Sequence, residues 1–450
     1  MPRILFTPAN STVSVPAGVT VLEAARAADV DIITPCGGRG KCGKCRVRVI
    51  EGRVETGETD EQAHGGGSDG WVLACTARVG RTDLIVDVPE KAVWHAGDAE
   101  DPSELLKPFS SDHLPVCDRL DRSVEAITLT VATSERDERQ SDFARVRSAL
   151  AALDLESAEF PLTILRGLAE ALRLDEGRIT LVVERRENHT CILDVISGHV
   201  CPPLYGLAVD IGTTNIAVLI VSLREGAILA CEADYNDQVV CGLDLISRIN
   251  YAGRENGLTE LHSRVVETIN RLTRRACKVC QIQPCEVVAA AVSGNTTMTH
   301  LFLGLTPKYI RLEPYSPTIL AETPEYRAGR VGLVVNRECH VHLSPSVGSY
   351  IGGDIAAGIP CTGLTADSED ICLYMDIGTN GELVVGNRDL LISSACSAGS
   401  ALEGMDSECG MRAAEGAIKE CSLDGDTGRL SLSVIGEGRP LGICGAGLVS

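Results

Sequence analysis

Positive charge is in deficit in this chain. Lysines and arginines number 41 against 62 aspartates and glutamates, a net charge of -21. That balance disfavours nucleic acid and an anionic membrane surface as main partners. Long apolar runs are missing too. The longest, Leu207 to Leu223, is broken by Asp210, Thr213, Thr214 and Asn215, so no segment reads as a membrane span. No leader is recognisable, because Met1-Pro2-Arg3 runs straight into Ile4-Leu5-Phe6 and then polar residues, and a cytoplasmic protein is expected. Histidines are few, nine in all, and unclustered in sequence, which predicts no histidine-based metal site or triad. Cysteine is what the chain does not lack: 19 thiols, scattered through 450 residues that are 44% hydrophobic. Such scatter in a long, globular chain fits a reducing compartment and not a disulfide framework. The length allows roughly two to four cored domains.

Cys36, Cys42 and Cys45 stand at C-x5-C-x2-C spacing in Pro-Cys-Gly-Gly-Arg-Gly-Lys-Cys-Gly-Lys-Cys, and Cys75 follows in Trp-Val-Leu-Ala-Cys. Four thiolates hold a [2Fe–2S] cluster, and the related plant-type spacing is C-x4-C-x2-C with a distant fourth cysteine. Gly37, Gly38, Gly40 and Gly43 let such a loop adopt positive φ and approach the cluster closely. Zinc also takes four thiolates, but structural zinc sites pair their ligands in two short knuckles. Here three thiols share one loop and the fourth stands alone. Around this loop, residues 1–90 read as a small β-rich domain: a hairpin from Arg3 to Val15, a helix within Val19 to Ala28, a strand Arg46 to Ile50, and a closing strand within Arg81 to Val88. Arg39, Lys41, Lys44, Arg46 and Arg48 crowd the loop, either as ordinary solvated charge or as a cationic rim for an acidic partner.

Residues 91–118 are rich in Asp, Glu, Ser and Pro without a period and read as a linker. Residues 119–203 read as a small α/β domain, a spacer or dimerisation unit, with helices at Asp142 to Leu153 and Leu162 to Leu172. From residue 204 to 450 the composition changes. Leu207-Ala-Val-Asp-Ile-Gly-Thr-Thr-Asn215 is an apolar strand ending in a polar turn, and Leu373-Tyr-Met-Asp-Ile-Gly-Thr-Asn-Gly381 repeats it. One copy is a weak signal; two predict a duplicated fold with facing lobes. The Gly-Thr turn offers N–H groups and a hydroxyl to phosphate oxygens, and the aspartate is placed to hold Mg²⁺ or orient water. Val292-Ser-Gly-Asn-Thr-Thr-Met298 reads either as a helix cap or as a nucleotide contact through Asn295 and Thr296. Cys277, Cys280 and Cys285 read as buried structural thiols, and Gly242, Asp244 and Arg248 either as a capped, salt-bridged helix start or as a nucleotide- or Mg-facing edge.

The doubled motif resembles the actin-like ATPase superfamily. On that resemblance Asp210 and Asp376 are the catalytic acids. Gly212, Thr213, Thr214 and Asn215 form the first phosphate loop, and Gly378, Thr379, Asn380 and Gly381 the second. Asn295 contacts ATP, and Gly445 and Gly447, within Gly442 to Leu448, belong to the adenosine loop. A ferredoxin-like domain joined to such an ATPase resembles the reductive activators of corrinoid proteins. The likeness spans the chain, from the four-cysteine loop through Gln140-Ser-Asp-Phe143 and Gly-Asn-Thr-Thr-Met to Ser-Ala-Gly-Ser-Ala-Leu-Glu-Gly404.

The fold this implies is multidomain, α+β and α/β. An N-terminal β-grasp [2Fe–2S] ferredoxin and a linker lead to a small α/β domain and an ASKHA (RNase H-like) ATPase fold, which is expected to be incomplete at Ser450. The activity it implies is ATP-dependent, Mg²⁺-assisted one-electron reduction of Co(II) to Co(I). The implied partner is a corrinoid iron–sulfur protein or a methyltransferase corrinoid subunit, with a low-potential electron donor and a homodimeric state. One of Ser393, Ser394, Ser397 and Ser400 is expected to approach cobalt. Two alternatives stay open: an electron-transfer protein whose ASKHA part docks without ATP turnover, and a small-molecule kinase with a redox sensor.

Overall fold

The computed structural model describes residues 1–32, 34, 38, 40, 45–55, 70–89, 123–132, 140–186, 189–322, 326–362, 364, 369–378, 380–396, 409, 416–423, 430–436 and 439–444. The predicted linker, Cys36, Cys42, Thr379, Ser397, Ser400, Gly445 and Gly447 lie outside them, as do Arg39, Lys41 and Lys44.

The N-terminal unit begins with the hairpin β1 (Arg3–Thr7) and β2 (Ser11–Ser14). Alternation buries Ile4 and Phe6 completely. Helix α1 (Val21–Ala27) starts at a capping box: the Glu23 N–H donates to the Thr20 hydroxyl, and the Thr20 N–H donates to the Glu23 carboxylate. Its apolar face, Val21, Leu22, Ala24 and Ala25, packs on the sheet. Then come β3 (Arg46–Glu51), β4 (Val54–Glu55), β5 (Trp71–Leu73), β6 (Arg78–Val79) and β7 (Leu84–Asp87). The main sheet runs β2-β1-β7-β3-β5. The last strand closes this sheet from its middle and not from its edge. It lies parallel to β1 and antiparallel to β3, because Leu84 and Val86 need core on their inner face and partners on both sides.

The second unit places β8 (Val124–Thr130), β9 (Arg178–Arg186) and β10 (His189–Ser197) in an antiparallel sheet. Helices α2 (Asp142–Ala151) and α3 (Leu162–Leu174) belong to it. Ile164, Leu168, Ala171 and Leu172 give α3 one apolar stripe over one sheet face. The other face is not free: Val124, Val182, Cys191 and Leu193 share a core with the strands that follow. The unit is therefore built into the body.

That body begins with β11 (Tyr205–Ile211), β12 (Asn215–Ser222) and β13 (Ile228–Tyr235). A short 3-10 turn (Asp237–Val240), helix α4 (Leu245–Ala252) and the long helix α5 (Gly257–Cys280) follow. Next are β14 (Val287–Gly294), α6 (Thr296–Phe302), α7 (Ala328–Val331), β15 (Val341–Leu343) and α8 (Gly353–Gly358). The sheet order is β13-β12-β11-β14-β15, with β11, β14 and β15 parallel. Helix α5 buries Leu261, Val265, Ile269 and Leu272 against it, while Arg271 and Arg275 pair with Asp234, Asp237 and Glu232. A second antiparallel sheet holds β16 (Cys372–Ile377), β17 (Gly381–Gly386) and β18 (Leu391–Cys396). A third joins β19 (Ala417–Leu423), β20 (Leu430–Val434) and β21 (Gly442–Ile443). Among the described residues, no helix is long and apolar enough to cross a membrane.

Candidate functional site: a carboxylate-lined cleft and a buried thiol pair

The two repeated motifs fold as two hairpins whose turns face one cleft. In the first, Ile211 pairs with Ile216 and Asp210 with Ala217. In the second, Ile377 pairs with Gly381 and Asp376 with Glu382. The second turn is one residue shorter, and it sets a glutamate where the first has alanine. Between them lies a cavity of about 230 Å³ lined by Asp210, Gly212, Thr213, Thr214, Asn215, Asn295, Asp376, Gly378 and Asn380, all expected there. Asp354 and Glu382 join them, and neither was anticipated. Gly381 is absent from the lining: it opens β17, and its carbonyl accepts from the Cys396 thiol.

Asn295 caps its helix and also lines the cleft. Its carbonyl oxygen caps α6 by accepting the Met298 N–H at 2.9 Å, and its amide donates to the Thr213 hydroxyl at 3.1 Å. Thr296 does not reach the cleft; its hydroxyl donates to the Gly348 carbonyl at 2.6 Å. The turn is tight. A Cβ on Gly212 would lie 2.4 Å from the Asn215 carbonyl oxygen, and one on Gly352 would lie 2.3 Å from the Asn295 Cα.

Four carboxylates crowd this space. Burial pushes the Glu382 carboxyl up to about 7, with Asp354 and Asp376 adding repulsion. Asp210 opens on the cleft but is walled by protein behind, and burial, then Asp354 and Asp376, push it up to about 6. Asp354 is raised by burial, against a hydrogen bond from the Ile355 N–H. Hard oxygen donors that repel one another this way are what Mg²⁺ with phosphate oxygens satisfies, so the donor set fits Mg·nucleotide.

In the N-terminal unit, Cys45 and Cys75 are buried with their sulfurs 3.3 Å apart, close enough to ligate one metal. The loop before them turns through Gly38 (φ 73°) and Gly40 (φ 70°), and a Cβ on Gly40 would meet Thr76 at 2.9 Å. Paired buried thiols behind a positive-φ loop fit an iron–sulfur cluster. The Arg46 guanidinium stacks over Trp71 next to this site.

Asp244 caps α4 through the Ser247 N–H, and Arg248 is fully buried with its guanidinium on the Thr213 carbonyl of the first hairpin turn. Other expectations need correction. Of the three clustered cysteines, only Cys277 is buried; Cys280 is half-buried and Cys285 exposed. The histidines do converge: His340 and His342 stand near Glu184, and His189 near Glu159 and Cys191. Arg327 already sits between these groups, 3.1 Å from both His189 and Glu184, so neither is assigned a metal. Ser393 and Ser394 lie exposed on β18.

Comparison with known proteins agrees with this layout. Residues 6–80 match the 2Fe-2S iron-sulfur cluster binding domain, and 119–201 the RACo linker region. Residues 205–367 match the RACo middle region, and 370–450 the C-terminal domain of RACo, the ASKHA domain. The corrinoid activation enzyme RamQ of Eubacterium limosum is 30% identical over 449 residues, covering 99% of this chain and 69% of that protein. The [Co(II) methylated amine-specific corrinoid protein] reductase of Methanosarcina barkeri is 25% identical over 235 residues, half of this chain and 42% of its own. A solved reductive activator for corrinoid, iron-sulfur protein superposes with a TM-score of 0.65 at 35% identity, covering all of this chain and 71% of its own.

Proposed function

Because this chain belongs to the family of reductive activators of corrinoid proteins, we propose that it reduces the Co(II) of a corrinoid protein to Co(I), one electron at a time, under the control of ATP. The observation that carries the ATP part is the cleft itself, where two repeated hairpins set Asp210, Asp376 and Glu382 around one cavity. In this reading Thr213, Thr214 and Asn215 hold phosphate oxygens from one side, and Gly378, Thr379 and Asn380 from the other. Asn295 fixes Thr213, and Gly445 and Gly447 cradle the adenosine. Asp210, Asp354, Asp376 and Glu382 hold Mg²⁺, directly or through water, and orient the attacking water. Cys36, Cys42, Cys45 and Cys75 hold a [2Fe–2S] cluster, which when bound supplies single electrons at a potential near roughly -400 mV for the plant-type class.

Reduction of Co(II) is the harder half-reaction, so the step needs help. For one electron each ~59 mV is tenfold, and coupling of about 3 kcal/mol offsets roughly 130 mV. Nucleotide-driven movement of the two lobes is the source proposed for that coupling. The proposal includes a low-potential electron donor, a cytoplasmic setting and a homodimer, the last read by sedimentation.

The test mixes the reduced protein with a Co(II) corrinoid partner, with and without Mg·ATP, and follows Co(I) by its visible absorbance. ATP is expected to raise the Co(I) yield, and equal yields refute its role. Asp210→Ala is expected to lower ATP turnover by about a hundredfold or more. If that variant transfers electrons as well as the parent does with ATP, the ASKHA part is a docking module without a need for turnover.

A further inference from the structure

We propose that Arg248 joins the phosphate loop to the face on which the ferredoxin unit docks, so that docking and the state of that loop are linked. That the loop's state follows nucleotide rests on the function proposed above.

The ferredoxin unit is seated on the body by specific bonds. Arg26, from α1, donates to the Tyr251 hydroxyl and to the Val240 carbonyl at 3.3 Å. The Thr34 hydroxyl, fully buried, donates to the same Val240 carbonyl. Asp31 accepts from Arg264 at 2.9 Å. Arg26 and Arg254 both stack over the Tyr251 ring, at 4.9 and 5.0 Å. Arg254 also lies against the cysteine loop: a Cβ added to Gly38 would sit 2.9 Å from its guanidinium.

The other ends of these same elements grip the phosphate loop. Three successive carbonyls of that loop are held from this side. The Asn236 side chain donates to Gly212 at 2.9 Å, and the Asn236 N–H donates to Thr214 at 2.8 Å. Arg248 donates to Thr213 between them. Asn236 caps the turn that ends in Val240, and Arg248 also donates to Gln238 within that turn at 3.0 Å and to the Gly242 carbonyl at 2.8 Å. Arg248 and Tyr251, three residues apart on α4, lie on one side of the helix, and Arg254, just past its end, stacks on Tyr251. One end of that row bonds the phosphate loop and the other lies against the cysteine loop.

Burying a guanidinium is costly, and here that cost is met by acceptors on the phosphate loop and on the turn that carries the docking face. A rigid, packed strut with specific partners at both ends has discrete arrangements, not a continuum. Linkage then makes the effect reciprocal: what moves the loop shifts docking, and what undocks the ferredoxin unit loosens the loop.

Hydrogen exchange on the full chain tests this. The pair Arg26→Ala and Thr34→Val opens the docking face. Without nucleotide, it is expected to speed amide exchange in Asp210 to Asn215 by roughly fivefold or more. In an Arg248→Lys background the same pair is expected to leave that loop's exchange unchanged. Tyr251→Phe, which keeps the buried ring and removes the hydroxyl that accepts from Arg26 and donates to Glu260, is the second variant and is expected to speed exchange in the loop on its own. Undocking with no effect on Asp210 to Asn215 overturns the proposal, as does equal transmission in the Arg248→Lys protein, whose ammonium lacks the guanidinium fork. A second arm adds Mg·ATP, which is expected to slow exchange at Glu23 to Thr34 in the parent but not in Arg248→Lys. If Mg·ATP protects Asp210 to Asn215 but leaves Glu23 to Thr34 unchanged, the linkage fails while the nucleotide reading stands. If it protects neither, the nucleotide reading fails, and the first arm still decides the strut.

Discussion

Asp376 and Glu382 face each other across neighbouring strands, an arrangement that costs free energy until a proton or a cation offsets it. Two carboxyls of the cleft move well upward, Glu382 to about 7 and Asp210 to about 6. A carboxyl raised in the folded state contributes stability at low pH, and that contribution is lost as pH climbs through the folded value. The metal-free protein is therefore expected to lose thermal stability between about pH 5 and pH 8 from these groups. Glu382→Gln is expected to flatten that slope, and a scan of melting temperature against pH reads it. Under the function proposed above, Mg²⁺ displaces the same protons as it binds. Its affinity is expected to fall as the solution is acidified through about pH 7, and less steeply in Glu382→Gln, as measured by calorimetric titration at several pH values. An affinity independent of pH would place the cation elsewhere.

At the scale of elements, the cleft depends on how closely two helix starts approach. A Cβ on Gly352, the cap of α8, would lie 2.3 Å from the Asn295 Cα, the cap of α6. Gly352→Ala is expected to cost about 1–3 kcal/mol and to push Asn295 away from Thr213. A lowered denaturation midpoint together with weaker nucleotide binding checks both parts. This closeness also explains which parts of the site the sequence revealed. The Asp-Ile-Gly-Thr hairpins are local, so their residues and their doubling were readable as a string. Glu382 looked like one more strand residue, because its role comes from register with Asp376 and not from its neighbours in sequence. Asp354 sits in the first turn of a six-residue helix that carries no motif. Arg248 read as part of a helix start with two open roles, since nothing local says that its guanidinium turns inward to Thr213. The converging histidines escaped for the same reason: β9, β10 and β15 bring them together from distant stretches.

For the whole molecule, Arg327 pins the second unit to the body. It donates to Glu184 at 3.1 Å and to the Glu338 carbonyl at 2.7 Å, and Glu184 is 1% exposed. Arg327→Ala removes the hydrogen-bonded partner of that carboxylate and leaves Arg186, 3.8 Å away, and the more distant His189. The expected cost is about 3 kcal/mol, the low end for a broken buried pair. Adding Glu184→Leu should restore much of it, and chemical denaturation of the two variants separates lost charge pairing from lost packing. The ferredoxin fold was legible from its four cysteines and strand pattern, whereas its seat on the body was not. That seat is made by single side chains, Arg26, Asp31 and Thr34, whose partners lie more than two hundred residues later.

The chain has two tryptophans, and one of them, Trp71, stands on β5 beneath the Arg46 guanidinium and a few residues before Cys75. An indole so near a visible chromophore loses its excited-state energy to it. Ultraviolet-excited emission should therefore dim as iron and sulfide are loaded and recover when they are stripped, with Trp71→Phe abolishing most of the change. The molecule carries its own optical gauge of cofactor content, usable in a sealed cuvette without chemical assay.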